Sequence, residues 1–248
     1  MKVTILTPSF NSKDHILECI SSVNEQSFKN IEHIVIDGDS NDGTKELLSN
    51  AMVNSVISEK DQGIYDAINK GIKLSCGDII GILHADDVYS DTSTISDVVE
   101  VFLHNNIDLV YGDLDYVSRK NPTKIIRKWR SGNFSSASFS NGWMPPHPAV
   151  FIRKSIYEKF GYYDLSYRIS SDYNLLFKFF NMIKINRIFY LEKVLVRMRL
   201  GGKSNSNFVN ILIKSFEDWK IIRSFDYGIL KSSQILVLKN IKKVKQFL

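Results

Sequence analysis

Short apolar runs alternate with amphipathic, helix-length segments through residues 1–115. The runs that predict strands, each bounded by turn residues, are 3–6, 31–36, 56–57, 79–83 and 109–111. Between them, apolar residues recur at helical spacing around 16–23, after Asp42, and in 64–74 and 94–104. Strands separated by helices of this length form βαβ units, so the pattern predicts an α/β fold with a mostly parallel, Rossmann-like sheet and flanking helices.

The pattern changes after residue 115. Residues 116–129 predict a small antiparallel region of paired strands, and the Ser-, Gly- and Asn-rich stretch 131–141 predicts a mobile loop. The later predicted elements are strands at 149–152 and within 188–198, helices at 172–182, 209–224 and 230–248, and a polar loop at 201–207. We expect one domain over 1–226, with halves 1–115 and 116–226, followed by a helical tail at 227–248.

Composition and charge narrow the class of protein. A chain of 248 residues with 44% hydrophobic content can bury the core of one large domain. Its 32 basic residues exceed its 27 acidic ones by five, and the tail alone contributes five lysines and no acid. The rest is balanced, so the body has no bias towards nucleic acid. Two cysteines without metal-binding spacing, no signal-peptide pattern and no apolar run of membrane-spanning length predict a cytosolic protein.

Two adjacent carboxylates, Asp86 and Asp87, follow the apolar run 79–83 after only two residues. Ligands of open α/β sheets bind just beyond the carboxyl ends of the strands. Neighbouring carboxylates repel each other unless a proton or a cation compensates them, and Mg²⁺ or Mn²⁺ is commonly held by one or two carboxylates with phosphate oxygens. The alternative is a helix N-cap, for which Asp is a preferred residue.

Polar clusters also follow the earlier predicted strands, at 7–11, 37–44 and 59–63. Solvated turns favour Asp and Gly too, but clusters after four consecutive strands indicate a shared site. The chain lacks the glycine-rich dinucleotide fingerprint and the P-loop, and it has no H-E-x-x-H, Cys-x-x-Cys or G-x-S-x-G motif. Dinucleotide, P-loop, zinc and α/β-hydrolase chemistry therefore lack support.

The order of these motifs from Lys2 to about Lys203 resembles glycosyltransferase family 2 with the GT-A fold, of the bacterial surface-polysaccharide type (colanic acid, capsule or O-antigen). The segments that carry the resemblance are Thr7-Pro8-Ser9-Phe10-Asn11, Asp37-Gly38-x-Ser40-x-Asp42-Gly43-Thr44, Glu59-x-Asp61-x-Gly63-Ile64-Tyr65-Asp66-Ala67-x-Asn69-Lys70-Gly71, Gly77-Asp78-Ile79-Ile80-Gly81-x-Leu83-x-Ala85-Asp86-Asp87, His147-Pro148, Phe160-Gly161-x-x-Asp164 and Ser171-Asp172-Tyr173. The resemblance implies an inverting enzyme that takes a nucleotide sugar, by default a UDP-sugar, and an acceptor hydroxyl.

The resemblance also implies roles for individual residues. The donor would be bound by Thr7, Pro8, Phe10, Asp37, Asp61, His84, Ala85 and Asp86, and a divalent Mg²⁺ or Mn²⁺ by Asp86 and Asp87. His84 stands where the family often has an acid, so it could contact the ribose or a phosphate, or only fill space. Asp37 could instead satisfy backbone N–H groups of its own turn.

Asp172 matches the family's general base, although an acid at the start of a helix could also be a cap. His147 and Lys203 are candidates for the acceptor side; His147 could equally be a packed loop residue. Arg199 and Lys203, which flank Gly201 and Gly202, could instead contact the diphosphate or lie in a solvated loop.

On the predicted tail helix, Leu230, Val237, Ile241, Val244 and Leu248 fall on one side and lysines cover much of the rest. Such a helix suits an anionic membrane surface and would fit an acceptor linked to polyprenyl diphosphate. The alternative is a terminal helix packed on the domain with its lysines in water. Two other functions remain open: a nucleotide-sugar-binding scaffold without turnover, and a sugar-1-phosphate nucleotidyltransferase, although the loop after the first strand lacks the glycine and arginine the latter needs. The sequence leaves the oligomeric state open.

Overall fold

The computed structural model of the chain describes residues 1–104, 106–201, 208–225 and 227–246. Its strands are β1 (Val3–Ser9), β2 (Ile31–Asp37), β3 (Ser55–Ser58), β4 (Ile79–Ile82), β5 (Val88–Tyr89), β6 (Leu109–Val117), β7 (Ile125–Trp129), β8 (Val150–Arg153) and β9 (Ile188–Arg199). Its helices are α1 (Ile16–Asn24), α2 (Thr44–Ser49), α3 (Ile64–Leu74), α4 (Thr94–His104), α5 (Lys154–Phe160), α6 (Ser171–Met182), α7 (Phe208–Ser224) and α8 (Ile229–Lys245).

One mixed sheet organises the described residues, with strand order β3-β2-β1-β4-β8-β6-β9-β5 and β7 paired to β6. The first half is parallel, because β1 pairs in parallel with β2 and β4, and β2 with β3. Strand β8 then runs antiparallel between β4 and β6, while β9 returns parallel to β6. The predicted βαβ units and the predicted antiparallel pair, β6 with β7, are both confirmed.

Helices cover both faces of the sheet because each buries an apolar stripe. Side chains of α3 and α6 form one core with the sheet, and those of α1 and α4 form the other. Helix α3 approaches the sheet closely at Gly71, where an added Cβ would lie 2.8 Å from Ile36 Cδ1 and 2.9 Å from Leu6 Cδ2.

Two sequence expectations need correction. The stretch expected as a mobile loop ends in a short 3-10 turn, Phe139–Asn141, and Phe139 is buried with its ring 4.2 Å from that of Phe177. The polar composition of 131–141 concealed this aromatic anchor. The region expected to hold several strands, 188–198, is the single strand β9.

The tail helix α8 packs on the body of the protein. Ile235 is fully buried, and an added Cβ on Gly142 would lie 2.4 Å from the backbone nitrogen of Lys239. Beyond the end of the helix, Gln246 accepts a hydrogen bond from Arg127 at 2.9 Å. The apolar side chains of Leu230, Val237 and Ile241, which the sequence placed on one side, are exposed. None of the described helices is both long and apolar enough to span a bilayer.

Candidate active site

The carboxyl ends of the first three strands meet at one edge of the sheet. In the register of the parallel pairs, Ser9 lies beside Asp37, and Asp37 lies beside Ser58. The Gly38 N–H donates to the Ser9 carbonyl at 2.8 Å, which ties the loops after β1 and β2 together. The register therefore places the clusters after β1, β2 and β3 at one edge of the sheet, and a shared site there stays a prediction.

Some of the predicted donor-binding residues face inwards. Asp37 is fully buried; its carboxylate accepts hydrogen bonds from the Ser40 N–H at 3.0 Å, from the Ser40 hydroxyl at 2.5 Å and from the Ser58 hydroxyl at 2.8 Å. This is the turn-stabilising geometry that the sequence offered as the alternative. Thr7 is also fully buried, with its hydroxyl 2.9 Å from His33 Nε2, and Pro8 and Ala85 are buried as well. Donor contact by these four residues stays a prediction.

Phe10 and Asp61 face the same small space beside Gly38. A Cβ on Gly38 would lie 2.6 Å from Asp61 Oδ2 and 3.4 Å from Phe10 Cδ2, so the absence of a side chain keeps the gap between ring and carboxylate open. The Phe10 ring is 47% exposed. An accessible aromatic face next to a carboxylate can stack with a nucleobase and accept hydrogen bonds from sugar hydroxyls.

Asp86 and Asp87 are followed by the short strand β5, and α4 starts only at Thr94. The helix N-cap alternative is therefore wrong. Asp87 is fully buried; its Oδ1 accepts a hydrogen bond from the Arg199 N–H at 3.2 Å, and its Oδ2 has no hydrogen-bond partner in the described parts of the chain. Asp86 is partly exposed, and its backbone carbonyl accepts from Arg199 Nη1 at 2.6 Å.

Arg199 holds this loop from inside the protein. Its side chain is 2% exposed, and its guanidinium also donates to the Glu18 carboxylate. The guanidinium thus binds the Asp86 loop and α1, where the sequence had suggested the diphosphate or a solvated loop. The bond between Arg199 and Glu18 joins residues that are 181 positions apart, and no pattern in the sequence predicts it.

The donor set at Asp86 fits a divalent cation that shares its coordination with a ligand. In the described ranges there is no group of three or more His, Cys, Asp or Glu side chains that could hold a metal, so a cage made by the protein alone does not fit. Burial, followed by the charge of Asp86, raises the pKa of Asp87 well above its ordinary value. One accessible carboxylate, backed by a buried one with an unpartnered oxygen, fits Mg²⁺ or Mn²⁺ completed by phosphate oxygens and water.

His84 is two residues before Asp86, and burial lowers its pKa, while the charges of both Asp86 and Asp172 act against that shift. The ring of His147 is 6.1 Å from that of His84. The sequence separates Asp86 from Asp172 by 86 positions, and the fold brings them to one site.

His147 is held within the protein. It is 7% exposed, its Nε2 is 2.6 Å from the Tyr163 hydroxyl, and burial lowers its pKa to about 4. It therefore has the geometry of the packed residue that the sequence offered as the alternative, and a direct acceptor contact stays a prediction. Lys203 lies outside the described residues.

Asp172 is the second residue of α6, and the helix cap is Ser170. Its Oδ1 accepts a hydrogen bond from the Tyr173 N–H at 2.8 Å and lies 3.1 Å from the Tyr65 hydroxyl, whose single proton it shares with the carbonyl of Ile169 at 2.5 Å. Burial by itself would raise the pKa of Asp172, but positive charges, among them His147 and Lys214, and the Tyr173 N–H outweigh it and hold the pKa below its ordinary value. A lowered pKa favours the carboxylate form of Asp172, which is the form that can accept a proton.

Comparison with known proteins identifies the family. The model of glycosyl transferase family 2 matches residues 4–167. An uncharacterized glycosyltransferase of Mycobacterium tuberculosis is 32% identical over 188 residues, which are 71% of this chain and 68% of the relative. A PGL/p-HBAD biosynthesis glycosyltransferase of Mycobacterium bovis is 28% identical over 215 residues, 82% of this chain and 79% of the relative.

Solved structures share the fold. S. aureus TarS superposes with a TM-score of 0.69 at 17% identity over 96% of this chain, which spans only 43% of the TarS chain. The mannosyltransferase PcManGT of Pyrobaculum calidifontis, solved with GDP-Man and Mn²⁺, superposes with a TM-score of 0.67 at 17% identity, over 99% of this chain and 72% of that one. At these identities the likeness shows the fold alone, and it confirms the GT-A fold expected from the motifs. The chain belongs to glycosyl transferase family 2.

Proposed function

We propose that this glycosyltransferase moves a sugar from a nucleoside-diphosphate sugar to a hydroxyl of a growing, lipid-linked surface glycan, with inversion at the anomeric carbon. The observation that carries the proposal is that the fold brings the strand end with the partly exposed Asp86 near the start of α6 with Asp172: the rings of His84 and His147 are 6.1 Å apart, and the charge of Asp172 acts on both imidazoles. A donor diphosphate at Asp86 would place the sugar between the two carboxylates. We assign the donor to residues 1–115 and the acceptor to residues 116–226.

Each group then has one task. Phe10 and Asp61 would bind the nucleoside in the gap beside Gly38. Asp86, with Asp87 behind it, would hold Mg²⁺ or Mn²⁺, which when bound neutralises charge on the departing diphosphate. Asp172 would accept the proton of the acceptor hydroxyl as that oxygen attacks C1 from the face opposite the leaving group, so the bond to the nucleoside diphosphate breaks as the new glycosidic bond forms.

A UDP-sugar is the donor we expect first. S. aureus TarS 1–349 was solved with UDP and with UDP-GlcNAc, and PcManGT with GDP-Man and Mn²⁺. Proteins of this fold thus bind more than one nucleotide, and the choice needs a direct test.

The test is binding and slow hydrolysis of UDP-glucose, UDP-galactose, UDP-N-acetylglucosamine and GDP-mannose, each with and without Mn²⁺. Asp86→Ala should lose the Mn²⁺-dependent part of binding, whereas Asp172→Asn should keep binding and lose turnover by roughly 10²–10⁴-fold. Glu158→Gln is the control, since Glu158 lies on the exposed side of α5. Full turnover by Asp172→Asn would remove Asp172 as the base. Binding of a nucleotide sugar without turnover would favour the scaffold function, and no binding of any nucleotide sugar would contradict the proposed function.

The surface of α7 and α8 supports a membrane-bound acceptor. Leu212 and Phe216 on α7, and Leu230 and Val237 on α8, are each more than half exposed. The two acidic side chains in the described parts of these helices, Glu217 and Asp218, are buried and bonded to protein groups. Exposed basic side chains share the same helices: Lys220, Arg223, Lys231 and Lys242. Apolar side chains with bases and no exposed acid suit an anionic bilayer.

We therefore propose peripheral binding to the inner face of the cytoplasmic membrane, where a lipid-linked acceptor would be found. Co-sedimentation with vesicles containing anionic phosphatidylglycerol should exceed that with neutral vesicles and fall as salt rises. Leu230→Glu and Phe216→Glu should weaken it, whereas Leu103→Glu on α4, where the side chain is about as exposed as that of Phe216, should not. Equal binding to neutral and anionic vesicles would contradict the proposal.

A further inference from the structure

The segment that leads into Asp172 is held by side chains from two distant elements. The backbone N–H groups of Arg168, Ile169 and Ser170 all donate to the carboxylate of Glu217 on α7, at 2.8, 2.9 and 2.8 Å. From the other side, the hydroxyl of Tyr65 on α3 donates to the carbonyl of Ile169 at 2.5 Å. Both backbone polar groups of Ile169 are therefore hydrogen-bonded to side chains from distant elements.

Glu217 bonds the backbone just before α6. The cap residue of the helix, Ser170, makes no side-chain capping hydrogen bond, and its own N–H is among the three that donate to Glu217. Glu217 is 9% exposed and lies 47 to 49 positions further along the chain. Hydrogen bonds to an ionised carboxylate are stronger and more directional than neutral ones, and three on one carboxylate fix the path of the backbone.

Tyr65 also contacts the carboxylate of Asp172. Its oxygen is 3.1 Å from Asp172 Oδ1, which also accepts the Tyr173 N–H. In the described part of the chain no hydrogen bond reaches Oδ2 of Asp172. The carboxylate is thus anchored through Oδ1, and Oδ2 is the oxygen left to receive a proton.

We propose that Glu217 and Tyr65 are positioning residues that clamp the segment 168–172 and orient Oδ2 of Asp172 towards the acceptor hydroxyl. This rests on the proposed function, because it takes Asp172 as the base. Neither residue touches substrate. The clamp joins the donor-side helix α3 and the C-terminal helix α7 to the base, so the C-terminal part of the chain contributes to catalysis although it supplies no reacting group.

The clamp itself is tested by amide hydrogen exchange, which needs no substrate. Glu217→Gln and Glu217→Ala should accelerate exchange at the amides of 168–170, while amides in β1 and β2 keep their protection. Glu158→Gln should change nothing. Unchanged exchange at 168–170 in a folded Glu217→Ala variant would overturn the clamp, whatever the activity of the protein.

The effect of the clamp on catalysis is tested by measuring the release of nucleoside diphosphate. The substrate is whichever nucleotide sugar of the panel the wild-type protein hydrolyses. Glu217→Gln and Tyr65→Phe should lower kcat by roughly 10- to 100-fold, as expected for a misplaced catalytic group, with the donor KM unchanged. Tyr162→Phe is the control for Tyr65→Phe, since Tyr162 is partly exposed and contacts Lys73.

A double variant of Glu217 and Asp172 distinguishes positioning of the base from a merely structural role of Glu217. If Glu217 acts through the base, Glu217→Gln should change the residual turnover of Asp172→Asn by less than about twofold, because the group it positions is already absent. The same loss in both backgrounds, or a parallel rise in KM, would overturn positioning. A wild-type protein that hydrolyses no nucleotide sugar would overturn the proposed function and the effect of the clamp on catalysis together, and the exchange measurement would still decide the clamp.

Discussion

Replacing Lys239 by methionine should strongly destabilise the protein. Lys239 is on α8, yet its side chain points inwards: Nζ is 2.7 Å from Asp218 Oδ2 and 3.2 Å from the centre of the Tyr173 ring. Its side chain is only 16% exposed, and burial lowers its pKa despite the neighbouring carboxylate. Methionine keeps most of the aliphatic volume and removes the charge.

The magnitude follows from the charge that is left behind. Asp218 is 4% exposed, and its Oδ1 has no hydrogen-bond partner in the residues described. Removing one member of a buried ion pair typically costs about 3–5 kcal/mol, because the other remains as an unpaired buried charge. Loss of the cation–π contact with Tyr173 acts in the same direction. For a chain of this size the midpoint of thermal unfolding should fall by roughly 6–20 °C.

The assay is urea unfolding of Lys239→Met, Asp218→Asn and the double variant, with Lys231→Met as an exposed control on the same helix. The double variant should recover part of the loss, because two neutral groups can be buried together at little cost. A loss below about 1 kcal/mol in Lys239→Met, or strict additivity in the double variant, would refute the buried-pair reasoning.

Two further predictions concern stability. Gly142→Ala should cost about 2 kcal/mol more than Gly132→Ala, because both glycines have positive φ (69° and 67°) but only at Gly142 would the new Cβ strike the α8 backbone; equal losses in urea unfolding would contradict the close packing of α8. Burial lowers the pKa of His33 to about 4, so the unfolded chain binds the proton first as pH falls below about 6.5, and the protein should lose about 2 kcal/mol of stability by pH 5, with the full contribution present above pH 6.5. His33→Gln should flatten this pH dependence and exposed His104→Gln should not; an unchanged slope in His33→Gln would contradict the assignment.

The sequence located most of the elements because their patterns are local. Helices α3 and α4 begin and end where their apolar spacing predicted, and the boundaries of β1 and β2 differ from prediction only by extension towards the loops. Where an aromatic side chain far along the chain decided the outcome, as for Phe139 against Phe177, composition misled. The polar composition of 131–141 suggested mobility, whereas the burial of Phe139 holds the end of this stretch on the core.

The candidate site divides in the same way. The strand end after residue 83 pointed to Asp86, and the resemblance to the family implied roles for Asp61 and Asp172. The side chains that surround these residues in the fold could not be predicted from the sequence. Arg199 bonds the Asp86 loop across 113 positions, where the sequence had suggested the diphosphate or a solvated loop, and Glu217, which the sequence analysis did not single out, bonds Ser170 across 47.

The sequence by itself determined the βαβ order, the family and the residues at the carboxyl edge of the sheet, since each is written in short segments with a fixed period or motif. Only the tertiary structure decided which of these carboxylates are buried and which of their oxygens accept hydrogen bonds. It turned Asp37 and Asp87 inwards, left Asp86 accessible and anchored Asp172 by Oδ1. It also turned α8 so that Lys239 faces the core while Leu230 faces outwards. The physical reason is that burial and hydrogen-bond saturation depend on neighbours brought by the fold, and a local pattern carries no record of them.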